Sequence, residues 1–165
     1  MTSQDQRRAP SLRVAVVGGG IGGLATAAFL HRAGIEATVY EQAPALTEVG
    51  AGLVVSPNAV RLLRGLGRLD RFRERAVPLE VGWEFRRWEN GRILFSQNLG
   101  EECEQRFGEQ SYVAHRADLL AAVRAAVPER ALRLGNRFAE ELELLLDEES
   151  DHARLALHEL RDAER

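Results

Sequence analysis

The stretch "VAVVGGGIGG", residues 14–23, decides the fold, because a run of small and β-branched apolar residues ends there in closely spaced glycines. Gly18, Gly20 and Gly23 have the spacing G-x-G-x-x-G at a predicted turn from a strand into a helix. In that pattern the first glycine allows a tight turn, the second lets a pyrophosphate approach the backbone, and the third lets helix and strand pack closely. The stretch therefore predicts a phosphate-binding turn for a dinucleotide.

The residues around this turn predict a complete βαβ unit. Residues 12–17 form a short apolar run, as expected of a parallel strand that is covered on both faces. An apolar face with helical spacing follows, and Gly34 stands where a left-handed residue ends a helix. The second strand begins with "ATVY", residues 37–40, and ends at Glu41.

Two kinds of group in this unit are predicted to hold the dinucleotide. The amides of Ile21, Gly22 and Gly23 lie in the first helical turn, where the helix dipole favours an anion. Glu41 follows Gly18 by 23 positions, where a carboxylate accepts both hydroxyls of an adenosine ribose and disfavours a 2′-phosphate. NADP is therefore not expected in this pocket, and these residues leave NAD and FAD as alternatives.

The composition is that of one soluble globular domain, since 45% of the 165 residues are apolar and the formal net charge is −3. All 22 basic residues are Arg and they are dispersed, so no basic stripe indicates nucleic-acid binding. Residues 140–165 carry ten acidic and three basic side chains, a net charge of −7 that is typical of a solvated face.

The same composition predicts a cytoplasmic protein with no membrane partner and no metal site. The glycine spacing that follows the paired arginines argues against a secretion signal, and no other stretch approaches the ~20 apolar residues of a membrane span. The single cysteine, Cys103, lies in the acidic stretch "GEECEQRFGEQ". Because its acidic neighbours disfavour a thiolate, we interpret Cys103 as an unreactive loop thiol.

Downstream of the βαβ unit, the stretch "SPNAVRLLRGLG" predicts a helix that Ser56 caps, that Pro57 begins and that Gly67 ends. The preceding "GAGLVV", residues 50–55, is interpreted as a flexible apolar approach to that helix. Within it, Val54 either lines a pocket with hydrocarbon or packs in the core.

Residues 79–99 alternate as two strands around Asn90–Gly91, a strong hairpin turn. Trp83 and Trp88 of this hairpin are predicted to pack against the sheet, with the wall of an aromatic pocket as the alternative.

The stretch "YVAHRADLLAAVRAAVP", residues 112–128, predicts an extended entry into a further helix, and "ALRLGNRFAE" a strand beside the second one. Arg116 falls near the start of this helix, where a cation is unfavourable unless an anion lies beside it. The polar turn between two strands in residues 141–160 predicts a second hairpin.

Taken in order, "VAVVGGGIGGLATAAFLHRAGIEATVYEQAP", "GAGLVVSPNAVRLLRGLG" and "HRADLLAAV" resemble the N-terminal part of single-component FAD-dependent aromatic monooxygenases, the salicylate hydroxylase-like group of class A flavoproteins. The resemblance covers roughly residues 12–138. It implies an α/β, Rossmann-like FAD/NAD(P)-binding fold that is incomplete and carries an added antiparallel β segment. It also implies FAD as cofactor, NAD(P)H as co-substrate and a small aromatic substrate.

The resemblance assigns further residues. Gln42 would neighbour the adenosine, Arg116 would contact the FAD pyrophosphate region, and Phe138 would touch the adenine. It implies a polar tail in residues 1–11 and a partial FAD-binding domain in residues 12–165. That domain would consist of a βαβ unit at 12–41, a helical and hairpin insert at 42–111, and a helix with return strands at 112–160.

The family continues with Asp-Gly and Gly-Asp flavin motifs and a substrate-binding sheet, and the chain ends before them, so the sequence names no catalytic residue. Without the strand that precedes those motifs, the first strand is expected to be an apolar sheet edge that self-associates or pairs with a complementing C-terminal fragment. Two alternatives remain: a catalytically silent truncated or split fragment, and another FAD oxidoreductase such as a halogenase or a geranylgeranyl-type reductase.

Overall fold

The computed structural model describes residues 12–46 and 50–136, and its first unit is the predicted βαβ arrangement. β1 and β2 are parallel, with Val14 opposite Ala37 and Val17 opposite Tyr40. Gly34 has φ +78°, a left-handed conformation that suits glycine and lets the chain turn back after the helix. The elements of this unit are β1 (Arg13–Val17), α1 (Ile21–Arg32) and β2 (Glu36–Glu41).

A third parallel strand, β8 (Leu132–Leu134), pairs with the other side of β2 and confirms the predicted return strand. Leu132 lies opposite Val39 and Leu134 opposite Glu41, so β2 is central in the order β1-β2-β8. The three strands and α1 support the predicted α/β fold. Phe138 and the predicted hairpin at 141–160 lie outside the described residues.

The prediction that β1 is covered on both faces is wrong for the described part of the chain. Val14 and Val16 are half-buried against the core, whereas Ala15 and Val17 point away from it, and Val17 is 54% exposed. Within residues 12–46 and 50–136, β1 also pairs on one side only. The strand therefore presents both an open face and an open edge, as expected for an incomplete sheet.

A second, antiparallel sheet has the order β3-β7-β4, and it corrects the interpretation of "GAGLVV" as a flexible approach. Gly52 lies opposite His115 and Val55 opposite Tyr112, so the segment is a regular strand. Val54 is exposed, which removes the packing alternative for its side chain. The strands are β3 (Gly52–Val55), β4 (Val77–Pro78) and β7 (Tyr112–His115).

Within the described ranges, four helices besides α1 and one 3₁₀ turn connect the strands. Pro57 is the first residue of α2 as predicted, but the Ser56 hydroxyl donates to Asn58 Oδ1 and makes no capping bond to the backbone. The predicted helix after His115 is confirmed, with Leu119, Leu120 and Val123 buried. The elements are α2 (Pro57–Gly65), α3 (Leu69–Arg73), α4 (Gly100–Phe107), α5 (Arg116–Arg124) and the 3₁₀ turn Glu129–Ala131.

Cys103 lies in α4 and is buried, so its interpretation as a loop thiol is wrong. Its Sγ lies 3.9 Å from the hydroxyl oxygen of Ser111, which precedes β7. The acidic side chains of "GEECEQRFGEQ" that suggested a loop are on the solvent side of the helix, since Glu101, Glu102 and Glu104 are exposed while Cys103 faces inward.

The predicted hairpin at 79–99 is confirmed as β5 (Val81–Arg86) and β6 (Ile93–Asn98), which pair antiparallel around a turn where Gly91 has φ +69°. The predicted packing of its tryptophans is wrong within the described residues. Trp83 is 69% exposed and Trp88 is 90% exposed. Phe85 and Phe95 contact each other but are also exposed, so the hairpin has no core of its own.

A buried carboxylate joins the helices to the second sheet. Glu109 is only 2% exposed and forms ion pairs with Arg64 of α2 and, over 3.3 Å, with Arg73 of α3. Arg73 Nε also donates to the Tyr112 hydroxyl at 2.8 Å, so one anion connects two helices to β7. A buried carboxylate is tolerated because these guanidinium groups neutralise it.

Glu109→Gln removes this charge and keeps the shape of the side chain. We expect the free energy of unfolding to fall by about 1–3 kcal/mol, because both arginines lose their buried partner. Glu89→Gln is the control, since Glu89 pairs with Arg87 at the surface over 3.9 Å and such pairs contribute about 0–1 kcal/mol. Urea unfolding followed by circular dichroism measures both variants, and equal losses would contradict the assigned role of Glu109.

Candidate functional site

The glycine turn between β1 and α1 has the geometry that a bound phosphate requires. Gly18 has φ +95°, which makes the turn tight, and its amide donates to Tyr40 O at 2.8 Å and so continues the β1–β2 pairing. The first helical bond runs from Leu24 N to Gly20 O at 3.0 Å. The amides of Ile21, Gly22 and Gly23 therefore precede the helical ladder, at the positive end of the helix dipole.

The glycines of the turn have different surroundings. A Cβ on Gly23 would stand 1.9 Å from the carbonyl oxygen of Gly18, a distance that no side chain tolerates. A Cβ on Gly20 or Gly22 would meet no atom within 4 Å. Gly23 is therefore required by helix–strand packing, whereas the space above Gly20 and Gly22 is free for a ligand.

Glu41, at the end of β2, connects the turn to the segment that follows it. One carboxylate oxygen accepts from Gly19 N at 2.6 Å and the other accepts from Ala43 N at 2.8 Å. Each oxygen keeps a further lone pair for a hydroxyl donor. The carboxylate is thus held in one orientation by the backbone, and it remains able to accept hydrogen bonds from a ribose.

A cleft of about 130 Å³ lies between the turn, the end of β2 and α5. Glu41 and Gly20, two of the predicted site residues, line this cleft together with residues that the sequence analysis missed: Gly19, Ala43, Ala45, Leu46 and Leu120. Gly19 could have been noticed as the additional glycine inside the motif. The others carry no motif, since they reach the cleft through the path of the chain after β2 and through the packing of α5.

Arg116 is the first residue of α5 and is exposed, one helical turn before Leu120 of the cleft. The Arg116 amide donates to Ala51 O at 3.3 Å. A Cβ added to Gly50 would stand 2.9 Å from the Cβ of Arg116. The structure therefore brings "GAGLVV" and "HRADL" into contact and places α5 beside the glycine turn. Gln42 is exposed immediately after Glu41, and Phe138 lies outside the described residues.

Residues 12–46 and 50–136 contain no group of three or more His, Cys, Asp or Glu side chains arranged to hold a metal ion. None of the helices in those ranges combines the length and the apolar character that a membrane crossing requires.

Residues 11–164 match the family described as FAD binding domain. The chain belongs to the FAD binding domain family. The match includes the glycine turn, Glu41 and α5, and it confirms the resemblance on which the choice of FAD over NAD depends.

Relatives in this family are aromatic monooxygenases. 3-Amino-4-hydroxybenzoate 2-monooxygenase of Streptomyces cremeus is 39% identical over 144 residues, which are 87% of this chain and 35% of that protein. Salicylate hydroxylase of Pseudomonas putida is 38% identical over 127 residues, 76% of this chain and 29% of that protein. The chain thus spans about a third of the length of the relatives it matches, and it corresponds to their N-terminal part.

Solved structures agree with the family at the level of the fold. HpxO of Klebsiella pneumoniae, crystallised with FAD and uric acid, superposes with a TM-score of 0.64 at 28% identity. The superposition covers 76% of this chain and 31% of HpxO. The predicted incomplete Rossmann-like fold is therefore confirmed.

The contrast between Gly23 and Gly22 provides a test of the turn. Gly23→Ala is expected to lower the free energy of unfolding by about 3 kcal/mol, because its Cβ would overlap the Gly18 carbonyl and separate α1 from β1. Gly22→Ala is the control, since its Cβ enters open space and alanine favours a helix over glycine by about 1 kcal/mol. Chemical unfolding measures the difference. If the two variants were equally stable, close contact between α1 and β1 would not explain why residue 23 is a glycine.

Proposed function

We propose that this chain is the FAD-binding portion of an NAD(P)H- and O₂-dependent flavin monooxygenase that hydroxylates an aromatic acid or phenol. The observation that carries the proposal is the open space above Gly20, in front of the first amides of α1, in a chain of the FAD binding domain family. Such a protein would act in the cytoplasm on a small aromatic substrate, without a nucleic-acid or membrane partner.

The pyrophosphate of FAD would be held by main-chain groups. Gly18 makes the tight turn, Gly20 lets the phosphate oxygens approach, and the amides of Ile21, Gly22 and Gly23 donate to them. No cationic side chain is needed at the turn, because the amides and the helix dipole together supply the positive potential. Gly23 contributes a second time, since its contact with Gly18 orients the helix toward the ligand.

The adenosine would be held at the end of β2. Glu41 would accept both ribose hydroxyls through the lone pairs that the amides of Gly19 and Ala43 leave available. Gln42, exposed beside it, would neighbour the adenosine, and Phe138 would touch the adenine. The 2′-phosphate of NADP would be repelled by the Glu41 carboxylate, which is consistent with FAD at this position and nicotinamide elsewhere.

Arg116, the first residue of α5, would contact the pyrophosphate region of FAD through charge-assisted hydrogen bonds from its guanidinium group, as the resemblance to the family implies. When bound, the flavin supplies the redox and oxygen chemistry, and the protein supplies binding and orientation. In the overall reaction, NAD(P)H would provide two electrons, one atom of O₂ would enter the aromatic ring, and the other would leave as water.

The rest of the flavin site would come from polypeptide beyond the described residues. Relatives are about three times as long as the part that this chain matches, and the open edge and face of β1 lie where a sheet would continue. The exposed aromatic residues of the β5–β6 hairpin offer a second surface to be covered. We propose that these surfaces bind either a second copy of the chain or a complementing C-terminal polypeptide.

A second candidate function is that of a catalytically silent truncated or split fragment, and the open edge and open face of β1 are the observation that favours it. Another FAD oxidoreductase, a halogenase or geranylgeranyl-type reductase, would share the same N-terminal fold. Reading the DNA after the codon for Arg165 in all frames separates these possibilities. Asp-Gly and Gly-Asp flavin motifs there favour a truncated or split fragment, and a downstream substrate domain would separate the monooxygenase from the other oxidoreductases. An unrelated gene there would favour a self-contained module.

Gly20→Ala tests the pyrophosphate site. We expect the wild-type chain to bind FAD weakly, because the described residues contact it from one side, and Gly20→Ala to weaken binding about tenfold or more by placing a methyl group where the phosphate approaches. Gly65→Ala is the control, since its added Cβ makes ordinary contact with the Phe29 ring, far from the turn. Titration followed by the flavin absorbance bands measures both, and a Gly20→Ala variant with unchanged affinity would contradict the assigned phosphate position.

Light scattering after gel filtration tests the open surfaces. We expect the chain to associate in a concentration-dependent way, and Ala15→Glu to reduce the association, because a charge on the exposed face of β1 disfavours pairing along that strand. Trp83→Glu is the matched change on the β5–β6 hairpin. The variant that associates less identifies which of the two surfaces mediates self-association. Purification of a soluble yellow monomer with one flavin per chain would overturn the expectation of an incomplete site.

A further inference from the structure

Two neighbouring clefts meet at the side chain of Leu46. The cleft beside the glycine turn has a volume of about 130 Å³, and a second one along α5 has a volume of about 150 Å³. Leu46 and Leu120 line both of them, and the residues that line the second cleft besides these two are Ala117, Ala121 and Arg124. The two clefts therefore adjoin at these two leucines, and together they are called the groove below.

The two leucines differ in how firmly they are held. Leu120 lies in α5, is only 4% exposed and belongs to the main core. Leu46 lies after β2 in a segment that is neither helix nor strand, and it is half-buried at the margin of that core. Of the two side chains that divide the groove, Leu46 is therefore the one whose displacement costs less.

Leu46 also lies directly against the phosphate-binding turn. One of its methyl carbons is 2.9 Å from the position that a Cβ on Gly19 would occupy, and the same position is 3.0 Å from Cβ of Glu41. Any side chain at residue 19 would meet Leu46. Gly19, the middle glycine of "GGG", to which the motif assigns no role, thus makes room for a leucine that closes one end of the cleft.

We propose that Leu46 is a partition in the nucleotide groove: its side chain separates the two clefts, and a dinucleotide displaces it on entry. The inference rests on the proposed function, since it concerns the same site. Neither cleft alone reaches the roughly 300–1,000 Å³ of an ordinary small-molecule pocket, whereas the two joined approach the lower end of that range. The side chain therefore opposes binding by the cost of leaving its contacts with the turn and with α5.

Shortening Leu46 should have opposite effects on stability and on affinity. Leu46→Ala removes apolar contacts with the core, so the ligand-free protein should melt at a lower temperature. It also joins the two clefts, so the ligand no longer displaces a packed side chain. A residue with a purely structural role would lower stability and affinity together, because loosening the turn would spoil the arrangement of its amides.

The test measures the FAD dissociation constant by absorbance titration and the melting temperature without ligand, for the wild-type chain and three variants. Leu46→Ala is expected to bind FAD about tenfold more tightly and to melt earlier, and Leu46→Val, the milder change, to move in the same directions by less. Leu62→Ala is the control, because Leu62 is exposed on α2 and lines neither cleft, and it should leave FAD affinity unchanged. Unchanged or weaker binding by both Leu46 variants overturns the inference.

The same titrations separate this inference from the proposed function. If the wild-type chain binds FAD, Gly20→Ala weakens the binding and the Leu46 variants do not tighten it, the partition is wrong and the FAD site stands. If folded wild-type protein and both Leu46 variants fail to bind FAD at any concentration reached, the proposed function fails and the partition fails with it. If Leu46→Ala binds FAD and the wild-type chain does not, the result supports the partition, because removing the side chain is then sufficient for binding.

Discussion

The contact between Gly23 and the carbonyl oxygen of Gly18 is the constraint on which the site depends. Because residue 23 has no side chain, α1 approaches β1 closely enough that a Cβ would stand 1.9 Å from that oxygen. The approach fixes the direction of the helix relative to the sheet, and with it the direction of the amides at the helix start. The same helix packs against α5, and Leu120 of α5 lines the cleft beside the turn.

Glu41 then makes the turn and the end of β2 into one unit. Its carboxylate accepts two backbone hydrogen bonds before any ligand arrives, so its orientation does not have to be established during binding. The same two bonds hold Gly19 against Leu46 and Ala43 at the rim of the cleft. A residue that sequence motifs identify only as a ribose partner is therefore also a structural link between three segments of the site.

The sequence predicted those parts of the molecule in which the determining contacts are local. The βαβ unit, the helix after His115 and the hairpin turn at Asn90–Gly91 follow from periodicity and turn residues within short windows. The strand at Gly52–Val55 was missed because it exists through pairing with β7, about 60 residues away, and because Gly52 disfavours a strand. The tryptophans were assigned to packing by their size, but a two-stranded hairpin has no interior in which to place them. Leu46 carried no signal at all, since its role comes from the path of the chain after β2.

The burial of Cys103 has a practical consequence. The chain contains a single thiol, and α4 holds it against Ser111, at the point where the peptide leads into β7. A thiol in such a place reacts with a soluble alkylating reagent only when α4 separates from the second sheet, and its acidic flanking residues slow an anionic reagent further. The protein thus carries a natural probe of local opening next to the strand that leads into Arg116, and the rate of its modification reports how tightly that part of the molecule is closed.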